Sequence, residues 1–413
     1  MLPHVSIWKV FIFGSFEHKS EKKFWFGDDM KNTKAPVVLF IGAGASAPIG
    51  FPTTKQFMKE IGLEPVDVAK LGKVTEHTAV LQKIYASLPP KNKDLEGILD
   101  YLRIINDPTS IIGINILKEQ INVISGITPE IIKAVGTTIK KFLDVTKILE
   151  EDIKKQLFKF YIFQTTKHKA ITQKIYRPII DLFLVEQIFG KEINELPVFT
   201  TNYDLVIENL MRMSFMRNYE FIDGFRTEHG SRALVFSIDE YEKTIQRPTI
   251  KLFKLHGSLN WWNRNEDNRI IQFPDLTSYI DDPNYEGPVM IYPAGYGPYP
   301  RDEFHIMHDY LERYLTNAEV CVVIGFSFRD IGIINHYFDD VMKYTNTKLR
   351  VIISNMSDSI EKLPETKDLF SKYENRYTYL GEGIEKLPAK LKGETRPEKP
   401  TPKKEDKTPK EPI

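Results

Sequence analysis

One cysteine in 413 residues, Cys321, leaves the chain without the means for an internal disulfide or a cysteine-built zinc site. It sits in the apolar run Val320–Ile324, where a buried thiol acts as a small hydrophobe. Net charge is missing too: Lys plus Arg and Asp plus Glu both total 56, so no global field draws the protein to nucleic acid or to an anionic membrane. The apolar, aromatic stretch Val5–Phe16 is too short to span a bilayer, is broken by Lys9, and does not read as a signal peptide. No internal repeat is evident. These absences predict a soluble, cytoplasmic protein with neither a membrane nor a nucleic-acid partner.

What is present is core-forming material, with 42% hydrophobic and 12% aromatic residues. Domains commonly run about 100–200 residues, so one large core and a second are within reach. Met30 opens a polar stretch just before the first strand-like run, which sets residues 1–34 apart as an N-terminal extension. From Pro388 to Ile413 the chain is dense in Lys, Pro, Glu and Thr with almost no apolar residues; it cannot offset its ordering entropy and is predicted to be a disordered tail.

Between these ends, over residues 35–387, the patterns alternate. Val37–Ile41, Leu196–Thr200, Thr249–Leu255, Val320–Ile324, Leu349–Ile353 and Tyr377–Leu380 read as strands, with Val289–Tyr292 as a further short one. Helices are predicted from Lys55 to about Ile61, Leu205 to Met213 and Arg301 to Thr316, with Thr53 or Thr54 as a cap for the first. Across about 66–188 the apolar residues fall at three- and four-residue spacing, which predicts a helical insertion. The alternation predicts an α/β fold with a doubly wound, mostly parallel Rossmann-like sheet and a helical insertion subdomain.

Four strand ends carry small or polar residues. In an open α/β sheet ligands bind outside the carboxyl ends of the strands, so the four imply one cleft. Gly42-Ala43-Gly44-Ala45-Ser46 follows the first strand; its glycines permit close backbone approach to a phosphate, or equally a tight turn. An ordinary dehydrogenase fingerprint needs an acidic residue on a second strand, and Glu60 has the spacing but a helical setting. In Thr200-Thr201-Asn202-Tyr203-Asp204, helix capping alone accounts for Asp204, whereas the carboxamide of Asn202 also suits a residue that holds water or a ribose hydroxyl. His256, in Leu255-His256-Gly257-Ser258, is either a hydrogen-bonded structural residue or a group that titrates near neutrality in a pocket. Gly325-Phe326-Ser327-Phe328-Arg329-Asp330 either turns the chain or meets a ribose, and Asn355 repeats that placement. His305 and His308 have a spacing that could hold metal but reads more simply as a helix face, so no metal is expected.

In their order along the chain these motifs resemble the sirtuin-like NAD-binding superfamily, especially its bacterial anti-phage branch of NAD-cleaving effectors. Gly42-Ala43-Gly44-Ala45-Ser46 looks like the cofactor loop, Thr201-Asn202-Tyr203-Asp204 like the Asn/Asp motif, Leu255-His256-Gly257 like the catalytic histidine motif, and Gly325-Phe326-Ser327 like the ribose-binding turn. Asp94-Leu95-Glu96 is similar to a segment of that branch. Two features depart from the protein-deacylating members: there is no four-cysteine zinc module, and Gly50-Phe51-Pro52-Thr53-Thr54 stands where they carry Asp-Phe-Arg. Deacylation therefore ranks below NAD hydrolysis.

The resemblance implies NAD+ as substrate, with Asn202 positioning water or ribose, His256 accepting a proton and Asp204 supporting the site. It also implies that Gly42, Ala43, Gly44 and Ser46 hold the diphosphate side, that Gly325, Ser327 and Asn355 lie near the adenosine ribose, and that Thr53 is a further contact. A potent NADase would poison its host, so gating is expected, through a homo-oligomer or a partner such as a HerA-type ATPase. The alternative from another class is a non-catalytic module that binds NAD or ADP-ribose and signals to a partner.

Overall fold

The computed structural model describes residues 35–60, 95–106, 129–162, 165–189, 193–230, 233–243, 247–291, 301–328, 330, 333–355, 367, 369 and 371–394. The N-terminal extension, Asp94, much of the insertion and residues 395–413 lie outside the described residues.

Seven strands form an all-parallel sheet: β1 (Val37–Ile41), β2 (Glu195–Thr200), β3 (Glu220–Ile222), β6 (Thr249–Lys254), β10 (Val320–Ile324), β11 (Arg350–Ser354) and β12 (Tyr377–Tyr379). Their spatial order is β12-β11-β10-β1-β2-β6-β3. The chain thus steps from β1 to β2, reaches the edge at β3 and comes back to fill β6 between them, then returns to β10 and winds outward on the other side. The reversal between β1 and β10 is the topological switch point, where such sheets bind ligands.

Both faces of the sheet are covered, which is why its strands read as unbroken apolar runs rather than alternating ones. Alternate residues divide between two cores. Val38, Phe40, Phe199, Phe253, Cys321 and Val323 face the helix Asp302–Asn317 and two short π-helical segments, Ile334–Asp339 and Val341–Thr345. Leu39, Ile41, Val198, Leu252, Val322 and Ile324 face the helices Thr165–Leu184, Val206–Met211 and Leu387–Glu394. The doubly wound α/β architecture read from the sequence is the one the chain adopts.

A second, antiparallel sheet was not foreseen. Its strands β4 (Phe225–Thr227), β5 (Leu234–Phe236), β7 (Trp261–Arg264), β8 (Arg269–Gln272) and β9 (Tyr285–Glu286) run in the order β4-β5-β8-β7-β9. The strand expected at Val289–Tyr292 reduces to an isolated antiparallel bridge between Met290 and Gly257. The tail predicted from Pro388 also starts too early. Residues Leu387–Glu394 form a helix, because Leu387 and Leu391, four apart, both bury against the parallel sheet's core.

The described part of the insertion is helical, with Leu95–Asn106 and Pro129–Tyr161 packed on each other and on the helix Thr54–Glu60. Ile98, Leu99, Leu102, Leu149, Ile153, Leu157, Phe57 and Met58 form its core, and that core also takes in Leu259 and Met290 from the loops beyond β6.

Candidate active site

The tips of β1 and β10 interlock through glycine. Gly42 N–H donates to the Ile324 carbonyl at 2.8 Å and Gly44 N–H to the Gly325 carbonyl at 2.8 Å. A Cβ on Gly42 would lie 2.5 Å from the Phe326 Cα, and one on Gly325 would lie 2.2 Å from the Ala45 nitrogen. Gly325 also has φ +63°, a conformation that favours glycine. The glycines at 42 and 325 are therefore required by this loop-to-loop approach. Ala43 and Gly44 lie exposed at its rim, and Ser327 is exposed on the opposing loop. Asn355 ties that loop down, its Nδ2 donating to the Phe326 carbonyl at 3.1 Å.

β2 continues the cleft. Thr200 Oγ1 donates to the Ile41 carbonyl at 2.9 Å and accepts the Asn202 N–H at 3.0 Å, fixing the backbone of Asn202 beside the end of β1. A directed chain of hydrogen bonds then sets the side chain. The Asp204 carboxylate can only accept, so Ser46 Oγ must give it its hydrogen, at 2.7 Å. Ser46 Oγ is then an acceptor toward Asn202 Nδ2, at 3.1 Å, and Nδ2 gives its other hydrogen to the Gly42 carbonyl at 3.1 Å. Both donors of the amide are spent. Asn202 Oδ1 is left buried with no hydrogen-bond partner among the described residues, on a residue only 8% exposed. Buried acceptors are rarely left so, and each calls for an explanation.

Asp204 serves two structures at once. Its other oxygen accepts the Val206 N–H at 3.0 Å at the start of the helix Val206–Met211; the N-cap position is Leu205, so Asp204 supports the helix from one residue before the cap rather than as the cap itself. Beneath it Lys254, 2% exposed, donates to Glu208 Oε1 at 2.9 Å and to the Asp204 carbonyl, so a buried ion pair pins the loop from below. On the other side Tyr176, buried in the helix Thr165–Leu184, donates to the Ala45 carbonyl at 3.4 Å. Burial, with the nearby Asp204 charge, raises its phenol well above the ordinary tyrosine range and keeps it neutral.

His256 stands at the end of the neighbouring strand. Thr200 pairs with Lys254, and Leu255 N–H carries the ladder one step further by donating to the Thr200 carbonyl at 2.9 Å. Asn202 and His256 thus lie at matching register positions, each two residues past the last pair, on strands spaced about 4.8 Å apart. Ile291 N–H bonds the His256 carbonyl at 2.8 Å. Its ring Nε2 lies 3.1 Å from Asp330 Oδ2, and Asp330 Oδ1 accepts the Ile333 N–H at 3.1 Å. Asp330 follows β10, so this contact carries the loop past β1 and β2 and closes a ring of four strand ends. His256 holds the Asp330 carboxyl below the ordinary aspartate range, although burial acts the other way. His308, on the helix Asp302–Asn317, bonds the Leu255 backbone; burial, then the neighbouring His256, lower it to about 3.

Thr53 lies apart from this ring in a reciprocal cap: Gln56 N–H donates to Thr53 Oγ1 at 3.3 Å, and Thr53 N–H to Gln56 Oε1 at 2.8 Å. The structure therefore brings together Gly42, Ser46, Asn202, Asp204, His256 and the Gly325 loop, gives Asp330 at the end of that loop's motif a partner in His256, and adds Lys254 and Glu208, which no sequence signal ties to the site. Among the described residues no group of three or more His, Cys, Asp and Glu side chains could hold a metal.

A family model described as SIR2-like domain matches residues 197–378, a span that holds Asn202, Asp204, His256, Gly325, Ser327, Asp330 and Asn355. No curated protein matches the chain. Among solved structures it is similar to a Sir2-homologue mutant in complex with 2'-O-acetyl ADP ribose, at 14% identity and TM-score 0.36, covering 90% of this chain and 96% of that one. It is also similar to a Sir2 homologue–NAD complex, at 12% identity and TM-score 0.36, covering 90% and 94% of the two chains. The domain match covers residues 197–378, so over this span the chain is similar to a SIR2-like domain.

Proposed function

We propose that the protein is an NAD+ glycohydrolase, cleaving NAD+ to nicotinamide and ADP-ribose. The observation that carries this reading is the orphaned acceptor of Asn202, buried at the topological switch point and in register with an imidazole on the next strand. A site that only held a dinucleotide would have no use for a titratable ring beside an oriented amide oxygen.

The chemistry asks little of the protein beyond positioning. The bond between the ribose carbon and the pyridinium nitrogen breaks, its electron pair neutralises the ring nitrogen, and a water oxygen bonds to the ribose carbon while losing a proton. The leaving group is already activated by its own positive charge, so orientation and electrostatics dominate. Asn202 Oδ1 accepts a hydrogen from the attacking water or a ribose hydroxyl, and His256 takes the released proton directly or through that hydroxyl. Asp204 acts through Ser46 on the amide. The rim at Ala43, Gly44 and Ser327 offers backbone and hydroxyl groups to the diphosphate and the second ribose.

The expected result is nicotinamide release from NAD+ by the purified protein, alone or with an activating partner. Asn202→Ala and His256→Ala should each lower turnover by about 100-fold or more. Turnover at the parent rate in both variants would remove the assignments, and NAD binding with no nicotinamide under any condition would favour the binding module. Activity of this kind depletes a central cofactor, so the reading includes gating, by self-assembly or by a HerA-type ATPase, and a role in anti-phage defence. Release of nicotinamide with and without that ATPase tests the gate.

A further inference from the structure

We propose that Asp330 is a positioning residue that fixes the tautomer and orientation of His256, leaving the ring's Nδ1 as the proton acceptor. This deepens the glycohydrolase reading and rests on it for its catalytic consequence.

Each part of the dyad is held from outside. The backbone at His256 is locked between strands: Ile291 N–H bonds its carbonyl, and the next residue, Gly257, has φ +84° with the Val289 carbonyl 2.2 Å from where a Cβ would sit. On the other side, Asp330 has both oxygens committed, Oδ1 to the Ile333 N–H and Oδ2 to the ring, so the carboxylate cannot swing away without losing a backbone hydrogen bond. The loop that delivers it is strained into place: Phe328 has φ +54°, unfavourable for an aromatic residue, yet is fully buried among Phe326 and Phe338. Strain of this kind persists where the surroundings over-determine a geometry.

The proton follows from the partners. The Asp330 carboxyl is held ionised beside His256 and can only accept, so Nε2 carries hydrogen. In the neutral ring the lone pair is then on Nδ1, which has no hydrogen-bond partner among the described residues. Among the described residues the charged partner of His256 is Asp330, from the loop after β10, and His308 on the helix behind stays neutral, so an imidazolium formed at His256 faces the Asp330 carboxylate. That arrangement stabilises the protonated ring that proton transfer creates, as in the serine-protease triad.

The test combines two readouts on the full-length chain. Nitrogen-15 spectra of histidine-labelled protein, with the His256 signal assigned by its loss in His256→Gln, should show the Nε2–H tautomer in the parent and a shift toward Nδ1–H in Asp330→Asn. In turnover, Asp330→Asn should lower kcat about 100-fold with KM for NAD+ within threefold, and Asp330→Glu should restore part of the loss. An unchanged tautomer in Asp330→Asn overturns the proposal, as does parent-like kcat. A faster Asp330→Asn enzyme would also overturn it, by making Asp330 a brake on the histidine. If the parent never releases nicotinamide, the glycohydrolase reading fails, and the tautomer measurement still decides the role of Asp330.

Discussion

Ser46 carries two of the site's hydrogen bonds on a single oxygen, and the amide of Asn202 faces the way it does because of them. Ser46→Ala leaves an Asp204 oxygen buried without its donor and frees the amide to turn over. The expected cost is about 1–3 kcal/mol in urea denaturation, since an unmet buried acceptor loses its full solvation. Nicotinamide release should fall by more than the loss of folded protein explains. His308 makes a second prediction at this scale. Its folded value of about 3 lies below the unfolded one, so the unfolded chain binds the extra proton between these limits. Stability from this group is complete above the unfolded value and is lost as pH falls toward the folded one. Relative to His308→Gln, the parent should lose about 1.4 kcal/mol per pH unit between about pH 6.5 and 4. Parallel slopes in the two proteins would refute this.

The residues that face substrate in this reading, Asn202 and His256, were legible because each follows a strand that is itself legible. Their supports were not. Asp330 is separated from His256 by 74 positions and Lys254 from Glu208 by 46, and nothing in local spacing marks such pairs. Lys254 in particular reads as one polar residue ending an apolar run, yet among the described residues it is one of the largest side chains that are fully buried.

Strands of five or six residues buried on both faces announce themselves as continuous apolar runs, which is why β1, β2, β6, β10 and β11 were found within a residue or so. The antiparallel sheet escaped because β4 and β5 have three residues each and β9 two, too short for a period of two to emerge from a polar background. Element packing also sets the largest stability effects. Phe253 is fully buried on β6, its ring 4.6 Å from Phe199 and 4.3 Å from Tyr241, so Phe253→Ala should cost about 3–5 kcal/mol in chemical denaturation. A change below 1 kcal/mol would mean that the aromatic stack repacks.

Across the whole molecule the helical insertion is mechanically connected to the cleft. Tyr203, between Asn202 and Asp204, packs on the insertion's core and donates to the Ile291 carbonyl at 2.7 Å, while Leu259 and Met290 enter the same core from the histidine side. A shift of the helix Pro129–Tyr161 is thereby passed to both strand ends, the one with Asn202 and the one with His256. Hydrogen exchange should show this: ADP-ribose is expected to raise protection around Leu149–Phe158 as well as at the strand tips. Protection confined to the tips would disconnect the insertion from ligand binding. The sequence announced this region as helices, but not which loops they rest on, since that contact joins segments about a hundred positions apart.

The steric interlock at the sheet's switch point has an evolutionary corollary. With no room for a methyl group on Gly42 or Gly325, both strand tips are expected to keep glycine at these positions in any relative that retains the interlock. Libraries that place any side chain at position 42 or 325, singly or together, should return mostly inactive clones, because the atoms in the way are backbone and a second substitution removes none of them.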